Sequence, residues 1–202
     1  MALASTSGTV VDGIVQHMER YLGEIQRGWS TYENGLVAPF QVVEFGEVPR
    51  EIGWTVLATL GLNQYPTRSA KSGKAVRQEL VLILPAASAP GPFPSVLQQI
   101  GTQVVHSGQA VLRGEFLELD QPCPFVPDSQ LSAFFATLPS YLPDAFNTYH
   151  GPEFDVIFPW LIPITPSELA FVKNEGWSKF EDLLVEQDPN LLDLRRAPLL
   201  LY

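Results

Sequence analysis

Cysteine and basic residues are scarce in this chain of 202 residues. Its one cysteine, Cys123, cannot form an internal disulfide, so nothing in the sequence calls for an oxidising compartment. Lysine and arginine number 12 against 22 aspartates and glutamates, which gives a formal charge of -10. Because this field repels phosphate backbones, we expect no direct binding to nucleic acid. The same charge would attract a basic protein, although ordinary solubility is the alternative explanation.

Long apolar segments are also missing. No run approaches the roughly 20 apolar residues that a membrane-spanning helix needs. The N-terminus lacks the basic and apolar regions of a signal peptide. These features predict no membrane association and a cytoplasmic location. Hydrophobic residues nevertheless make up 46% of the chain, which is enough to build a packed core.

Familiar motifs of catalysis and cofactor binding are absent from the sequence. It contains no G-x-S-x-G, P-loop or G-x-G-x-x-G pattern. His17, His106 and His150 have no cysteine or histidine neighbour at the spacing of structural zinc sites. We therefore predict a protein that is not an enzyme and has no metal or cofactor. The alternative is a small hydrolase whose site brings together dispersed residues such as Tyr149, His150 and Asp155.

Helical and strand-like patterns follow one another irregularly along the chain. Apolar residues at helical spacing predict helices over 10–27 and 93–104, and a short third helix over 128–138. Apolar, β-branched runs predict strands over 54–60 and 80–84. This order favours an α+β fold, a mixed β-sheet flanked by several helices, over a regular βαβ repeat.

The C-terminal part of the chain carries the clearest helix start and stop signals. Thr165 and Glu168 have the spacing of a capping box, with proline at the first helical position. Gly176 predicts the end of that helix. Ser178 and Glu181 repeat the capping-box spacing and predict a second helix directly afterwards.

Five segments, taken in order, resemble the Suppressor of fused (SUFU-like) domain family. The first is WTVLATLGLN, a strand that ends in a Gly-Leu turn, and the second is the strand beginning QELVL. The end of the predicted helix before Gly108, the Pro-Ile segment with its helix and glycine, and the final DLRR follow. The segments occupy 54–63, 78–82, 104–108, 161–176 and 193–196.

This resemblance implies a single non-enzymatic binding domain over residues 1–202. An N-terminal helix and loop would occupy 1–35 and the family core 36–196. Animal relatives hold a transcription factor by gripping an extended peptide, partly through strand addition, and bacterial relatives are similar to immunity proteins that neutralise a toxin. The compact chain fits the bacterial kind, so we expect an immunity protein that binds a basic toxin domain or an extended peptide. A regulator that sequesters a transcription factor or another peptide is the alternative.

The turn that follows the strand over 54–60 is the expected partner surface. It comprises Thr59, Leu62, Asn63, Gln64 and Tyr65. Asn and Gln stand here where the family usually has Ser and Asp, so the resemblance does not extend to the contacts that this turn makes. An ordinary exposed turn is the alternative reading of these residues.

Overall fold

The structure, a computed structural model, describes residues 6–46, 53–118, 127 and 129–201. Over these residues the chain forms a mixed seven-stranded sheet, two small two-stranded sheets and four α-helices, which confirms the predicted α+β class. The helices are α1 (Thr6–Leu22), α2 (Phe93–Ser107), α3 (Pro166–Glu175) and α4 (Trp177–Gln187). None of these helices has both the length and the apolar character needed to cross a bilayer.

Eleven strands are formed by the described residues. They are β1 (Ile25–Thr31), β2 (Val37–Phe45), β3 (Trp54–Leu60), β4 (Thr67–Arg68), β5 (Ala75–Val76), β6 (Val81–Pro85), β7 (Phe116–Glu118), β8 (Ala133–Thr137), β9 (Thr148–His150), β10 (Asp155–Ile157) and β11 (Trp160–Ile164). The large sheet has the order β1-β2-β3-β6-β11-β8-β7, and β4–β5 and β9–β10 are separate antiparallel pairs. Neighbours in the large sheet are antiparallel except β6 and β11.

Both faces of the large sheet are covered. In β6, Val81 and Ile83 join one apolar cluster, whereas Leu82 and Leu84 join the other. The first cluster also contains buried side chains of α1, α3 and α4, and the second contains those of α2. This two-sided burial explains why β6 is apolar without alternation, as its sequence predicted.

The first helix ends earlier than its predicted limit of residue 27. It stops at Leu22, where Gly23 adopts a φ of 77° and donates its N–H to the carbonyl oxygen of Glu19 at 3.0 Å. Glycine reaches this backbone conformation without steric cost. Ile25 had extended the helical apolar pattern, but it begins β1 and pairs with Phe45 of β2.

The short helix predicted over 128–138 is wrong. Residues 133–137 form β8, an inner strand between β11 and β7. Phe134 and Phe135 are buried in opposite apolar clusters, one on each face of the sheet. An apolar run buried on both sides resembles a helix segment in sequence, and only the sheet around it decides between the two. Asp128, the predicted helix cap, lies outside the described residues.

Of the two predicted capping boxes, one forms. The N–H of Glu168 donates to Thr165 Oγ1 at 3.3 Å, and the N–H of Thr165 donates to Glu168 Oε2 at 2.8 Å. The second box is wrong, because α4 begins directly after Gly176 and no side chain caps it. The carboxylate of Glu181 instead accepts hydrogen bonds from the side chains of Arg113 and Thr137.

Candidate partner-binding turn

The expected partner surface is a tight turn at the end of β3. Gly61 has a φ of 99°, which favours glycine, and Leu62–Gln64 form one turn of 3-10 helix. Gln64 N–H donates to the Gly61 carbonyl oxygen at 3.2 Å, and Tyr65 N–H donates to that of Leu62 at 3.0 Å. The turn therefore leaves the N–H groups of its first residues without partners within the helix.

The side chain of Glu79 supplies those missing partners. Its carboxylate is 0% exposed and accepts N–H bonds from Gly61 at 2.9 Å, Leu62 at 3.3 Å and Asn63 at 3.1 Å. It also accepts the hydroxyl hydrogen of Thr59 at 2.6 Å and the side-chain amide of Asn63. A buried carboxylate with five donors is the anion at the N-terminus of this short helix, and it fixes the shape of the turn.

The electrostatic cost of this arrangement is visible in the pKa of Glu79. Burial raises the pKa above its ordinary value, because removal from water disfavours the charged form. Hydrogen bonds from Asn63, Thr59 and Gly61 act in the opposite direction but do not cancel the effect of burial. The donors around the carboxylate are thus needed to keep a charge acceptable at this depth.

Three further hydrogen bonds connect the turn to its surroundings. Thr59 Oγ1 accepts the N–H of Leu80 at 2.8 Å, which ties the end of β3 to the start of β6. Arg77 Nη1 donates to the carbonyl oxygen of Asn63 at 2.8 Å, and its guanidinium lies 4.9 Å from the ring centre of Phe154. The hydroxyl of Tyr65 donates to the carbonyl oxygen of Pro39 at 3.1 Å. The turn is therefore held rigidly, with its shape set by buried groups.

The five residues expected to contact a partner have two different positions in this turn. Thr59, Leu62 and Asn63 are buried, at 0%, 1% and 2% exposure. Gln64 is exposed and Tyr65 is half-buried. The first three give the turn its shape, while the last two reach the surface where a partner could touch them.

Sequence reasoning missed Glu79, although the sequence contains a signal for it. Glu79 is the only acidic residue between Gly53 and Gly114, and it comes immediately before the apolar strand β6. A lone acid beside a buried strand indicates a carboxylate that needs hydrogen-bond donors, but the donors of the turn lie 16 to 20 positions earlier in the chain.

The model of the family described as Suppressor of fused protein (SUFU) matches residues 37–197, which include the turn and Glu79. The chain belongs to the Suppressor of fused family. The match begins at β2, so α1 and β1 lie before it. No curated protein sequence matches the chain.

Solved structures of SUFU proteins share the fold. A protein from Neisseria gonorrhoeae FA 1090, described as a SUFU homologue, has a TM-score of 0.75 at 20% identity, over 97% of this chain and 100% of its own. A chain in the Sufu-Fu complex has a TM-score of 0.61 at 14% identity, over 88% of this chain and 82% of its own. Drosophila Suppressor of Fused gives 0.60 at 14% identity, over 87% of this chain and 45% of its own.

An open sheet edge is a second place where this chain offers backbone groups. In the large sheet, β1 pairs only with β2, and most of its residues are exposed. The side-chain amide of Gln98 donates to the carbonyl oxygens of Trp29 at 3.4 Å and Thr31 at 3.1 Å, so α2 covers the end of this strand. At the other end, the N–H of Ile25 donates to Glu19 Oε1 at 3.3 Å, so the middle of β1 is the part of the edge that an added strand could pair with.

The residues of the hydrolase alternative only partly come together. His150 Nδ1 lies 3.0 Å from Asp155 Oδ1 across the β9–β10 pair, and the two side chains are 76% and 59% exposed. The ring of Tyr149 packs instead against His17 of α1, with 5.6 Å between ring centres. Among the described residues, no three histidine, cysteine, aspartate or glutamate side chains are arranged to hold a metal ion.

Proposed function

We propose that this chain is a protein-binding domain and acts as a bacterial immunity protein that neutralises a cognate toxin by direct binding. The observation that carries the proposal is the match to the Suppressor of fused family over residues 37–197. A relative that shares the fold over 88% of this chain is known from a complex with another protein, Fu. The fit to the whole of the Neisseria gonorrhoeae protein supports the bacterial assignment.

In this proposal residues 1–202 act as a single SUFU-like domain. Residues 1–35 supply the N-terminal helix and the segment after it, and 36–196 supply the family core. The domain binds without catalysis and without a cofactor. The exposed position of His150 and Asp155 on a two-stranded hairpin favours binding over hydrolysis, because a catalytic pair needs a concave site that orients its substrate.

The turn after β3 is the proposed contact surface. Gln64 and Tyr65 touch the partner, while Thr59, Leu62 and Asn63 hold the turn in shape around Glu79. A surface that is already ordered loses little conformational entropy on binding, which favours tight association. The middle of β1 adds an edge to which an extended segment of the partner could pair.

The charge of the chain supports a basic partner. A formal charge of -10 speeds the encounter with a cationic toxin domain, and added salt slows that encounter. A regulator that sequesters a transcription factor or another peptide would use the same fold and turn, and it would differ in the identity of its partner alone.

Capture from the native host tests the proposal. The tagged chain is used as bait, bound proteins are identified by mass spectrometry, and each captured protein is then expressed in cells with and without the chain. We expect a captured protein that arrests growth alone and is harmless with the chain. Capture of a transcription factor instead would support the regulator, and capture of no specific protein would contradict protein binding.

A pair of variants connects this test to the turn. Replacing Gln64 and Tyr65 together by alanine should abolish the protection, whereas Gln103→Ala should keep it. Gln103 is a control because it is exposed on α2 and is not part of the turn. Equal protection by both variants would show that the partner contacts another part of the domain.

A further inference from the structure

A second surface, far from the turn in sequence, has the form of a binding groove. It lies between the segment from β8 to β9 and the C-terminal end of α4, and it encloses about 550 Å³. That volume is within the range of sites that hold small ligands or a few side chains. Trp160 and Ile162 of β11 are among the residues that line it.

The groove gathers exposed apolar side chains. Among the described residues six large hydrophobic side chains are exposed, and three of them line this groove: Leu138 at 44%, Tyr141 at 42% and Val185 at 81%. Scattered single exposed side chains need no explanation, but their concentration in one concave place marks a contact surface. The ring of Tyr141 lies 5.0 Å from that of Trp160, so two aromatic layers form this part of the wall.

Carboxylates surround these apolar side chains. The groove is lined by Asp144, Glu181, Asp182 and Asp188, against a single cation, Arg113. Arg113 is already engaged, because its Nη2 lies 2.6 Å from Glu181 Oε2. The other three carboxylates have no ion-pair partner among the described residues. The groove therefore carries an uncompensated negative charge beside an aromatic wall.

Two buried polar atoms at the groove lack hydrogen-bond partners. Trp160 is 1% exposed, and its Nε1 has no acceptor among the described residues. Asn147 Oδ1 has no donor there. Buried polar groups without partners are uncommon and cost free energy. Both atoms are shielded from solvent by the side chains around them, so recognition of a ligand depends on the exposed ring of Tyr141 and on the carboxylates of the groove.

We infer that this groove binds an arginine side chain of a partner protein. A guanidinium is planar, so it can stack on Tyr141 while it donates to the carboxylates of Asp144 and Asp188. Arginine fits better than lysine because its five donors reach more than one carboxylate at once. The inference rests on the proposed function in one respect, that the natural ligand is a protein.

A short peptide tests the groove without the natural partner. The probe is Ac-Gly-Arg-Gly-NH2, and the comparison peptide carries citrulline, the neutral isostere, in place of arginine. In 1H–15N spectra of the labelled chain, we expect the arginine peptide to shift the amides of Leu138, Tyr141 and Val185 and the indole N–H of Trp160. The citrulline peptide should cause much smaller shifts.

Two variants assign the effect to the groove. Asp144→Asn and Asp188→Asn should each weaken binding of the arginine peptide about five-fold, the size expected for one partly exposed charge-assisted contact. Asparagine tolerates the left-handed backbone of Asp188, whose φ is 41°. The control Glu153→Gln, an exposed carboxylate that does not line the groove, should bind as the unmodified chain does.

Several outcomes would overturn the inference. One is equal binding of the arginine and citrulline peptides. Another is a set of amide shifts spread over carboxylates across the whole surface. The third is binding of the arginine peptide that is unchanged in both aspartate variants. Failure here is separable from failure of the proposed function. The groove can bind the arginine peptide even if the chain neutralises no toxin. The chain can also capture a toxin even if the groove does not bind the peptide.

Discussion

The guanidinium of Arg196 forms a buried, two-pronged ion pair with the carboxylate of Glu168. Arg196 Nη1 lies 2.6 Å from Glu168 Oε1, and Nη2 lies 2.8 Å from Oε2. The residues are 7% and 0% exposed. The same carboxylate caps α3 through Thr165 and accepts the N–H of Leu199 at 2.9 Å. One side chain therefore joins a helix start to the C-terminal segment.

Replacing this carboxylate should destabilise the fold strongly. In Glu168→Gln the guanidinium of Arg196 stays buried without a counter-charge, and we expect a loss of about 3–5 kcal/mol in the free energy of unfolding. Urea denaturation measures it. Glu175→Gln is the control, since it removes only the exposed pair with Lys179 and should cost about 0.3–0.5 kcal/mol. Similar losses in the two variants would contradict the role given to the buried pair.

The pair should also make stability depend on acidity. Burial alone would raise the pKa of Glu168, but hydrogen bonds and charge from Arg196, with N–H bonds from Thr165 and Leu199, lower it below its usual 4.5. As the pH falls below 4.5, the unfolded chain binds a proton at Glu168 before the folded chain does. The stabilisation by the Glu168–Arg196 pair is therefore fully present above pH 4.5 and is lost as the pH falls through the folded pKa. Unfolding curves of the unmodified chain and Glu168→Gln should converge in acid. A constant difference between them would contradict this.

Glu79→Gln should loosen the turn. Glutamine replaces one acceptor oxygen by an amide that faces N–H donors, so buried donors of the turn lose their partner at a cost of about 1–3 kcal/mol. Hydrogen exchange should speed up at Gly61, Leu62 and Asn63. Gln64→Ala, in the same turn but exposed, should change stability by less than about 0.5 kcal/mol. Unchanged exchange in Glu79→Gln would show that the carboxylate does not hold the turn.

His17 should weaken the fold in mild acid. Burial lowers its pKa below 6.5, aided by the charges of Arg20 and His150, while the hydrogen bond to the Phe146 carbonyl at 3.0 Å opposes this. Because the unfolded chain takes up the proton first, stability should decrease as the pH drops below 6.5.

Thermal melts near neutral pH and at about pH 5 measure this dependence. His17→Gln should reduce the difference in melting temperature between the two conditions, whereas His106→Gln, at an exposed position on α2, serves as the control. An equal pH dependence in the unmodified chain and His17→Gln would contradict the assignment to His17.

Gly101→Ala should disturb the contact between α2 and the sheet. A Cβ at Gly101 would lie 2.3 Å from the ring of Phe40, which is 4% exposed. Overpacking of this kind costs about 1–3 kcal/mol. The control Gln103→Ala is exposed on the same helix. The double variant Gly101→Ala, Phe40→Leu should recover part of the lost free energy of unfolding. If the losses of the two single variants simply add, the strain does not come from the contact with Phe40.

The sequence by itself determined the elements whose signals are local. Strand β3 has the predicted limits, α2 occupies the predicted segment, and the capping box of Thr165 and Glu168 forms as its spacing indicated. Each of these depends on residues a few positions apart. The ordered motifs also predicted the Suppressor of fused family, which the match over 37–197 confirms.

Tertiary structure alone decided the elements and contacts that have no local signal, because the residues that form them are distant in the chain. Residues 133–137 became a strand since both faces of the sheet bury them. Glu79 acquired its role from donors 16 to 20 positions earlier, and Glu168 found Arg196 28 positions later. The sequence shows that Glu79 and Glu168 are charged, and a charged side chain needs partners when it is buried. Which partners they meet depends on how the sheet brings distant segments together.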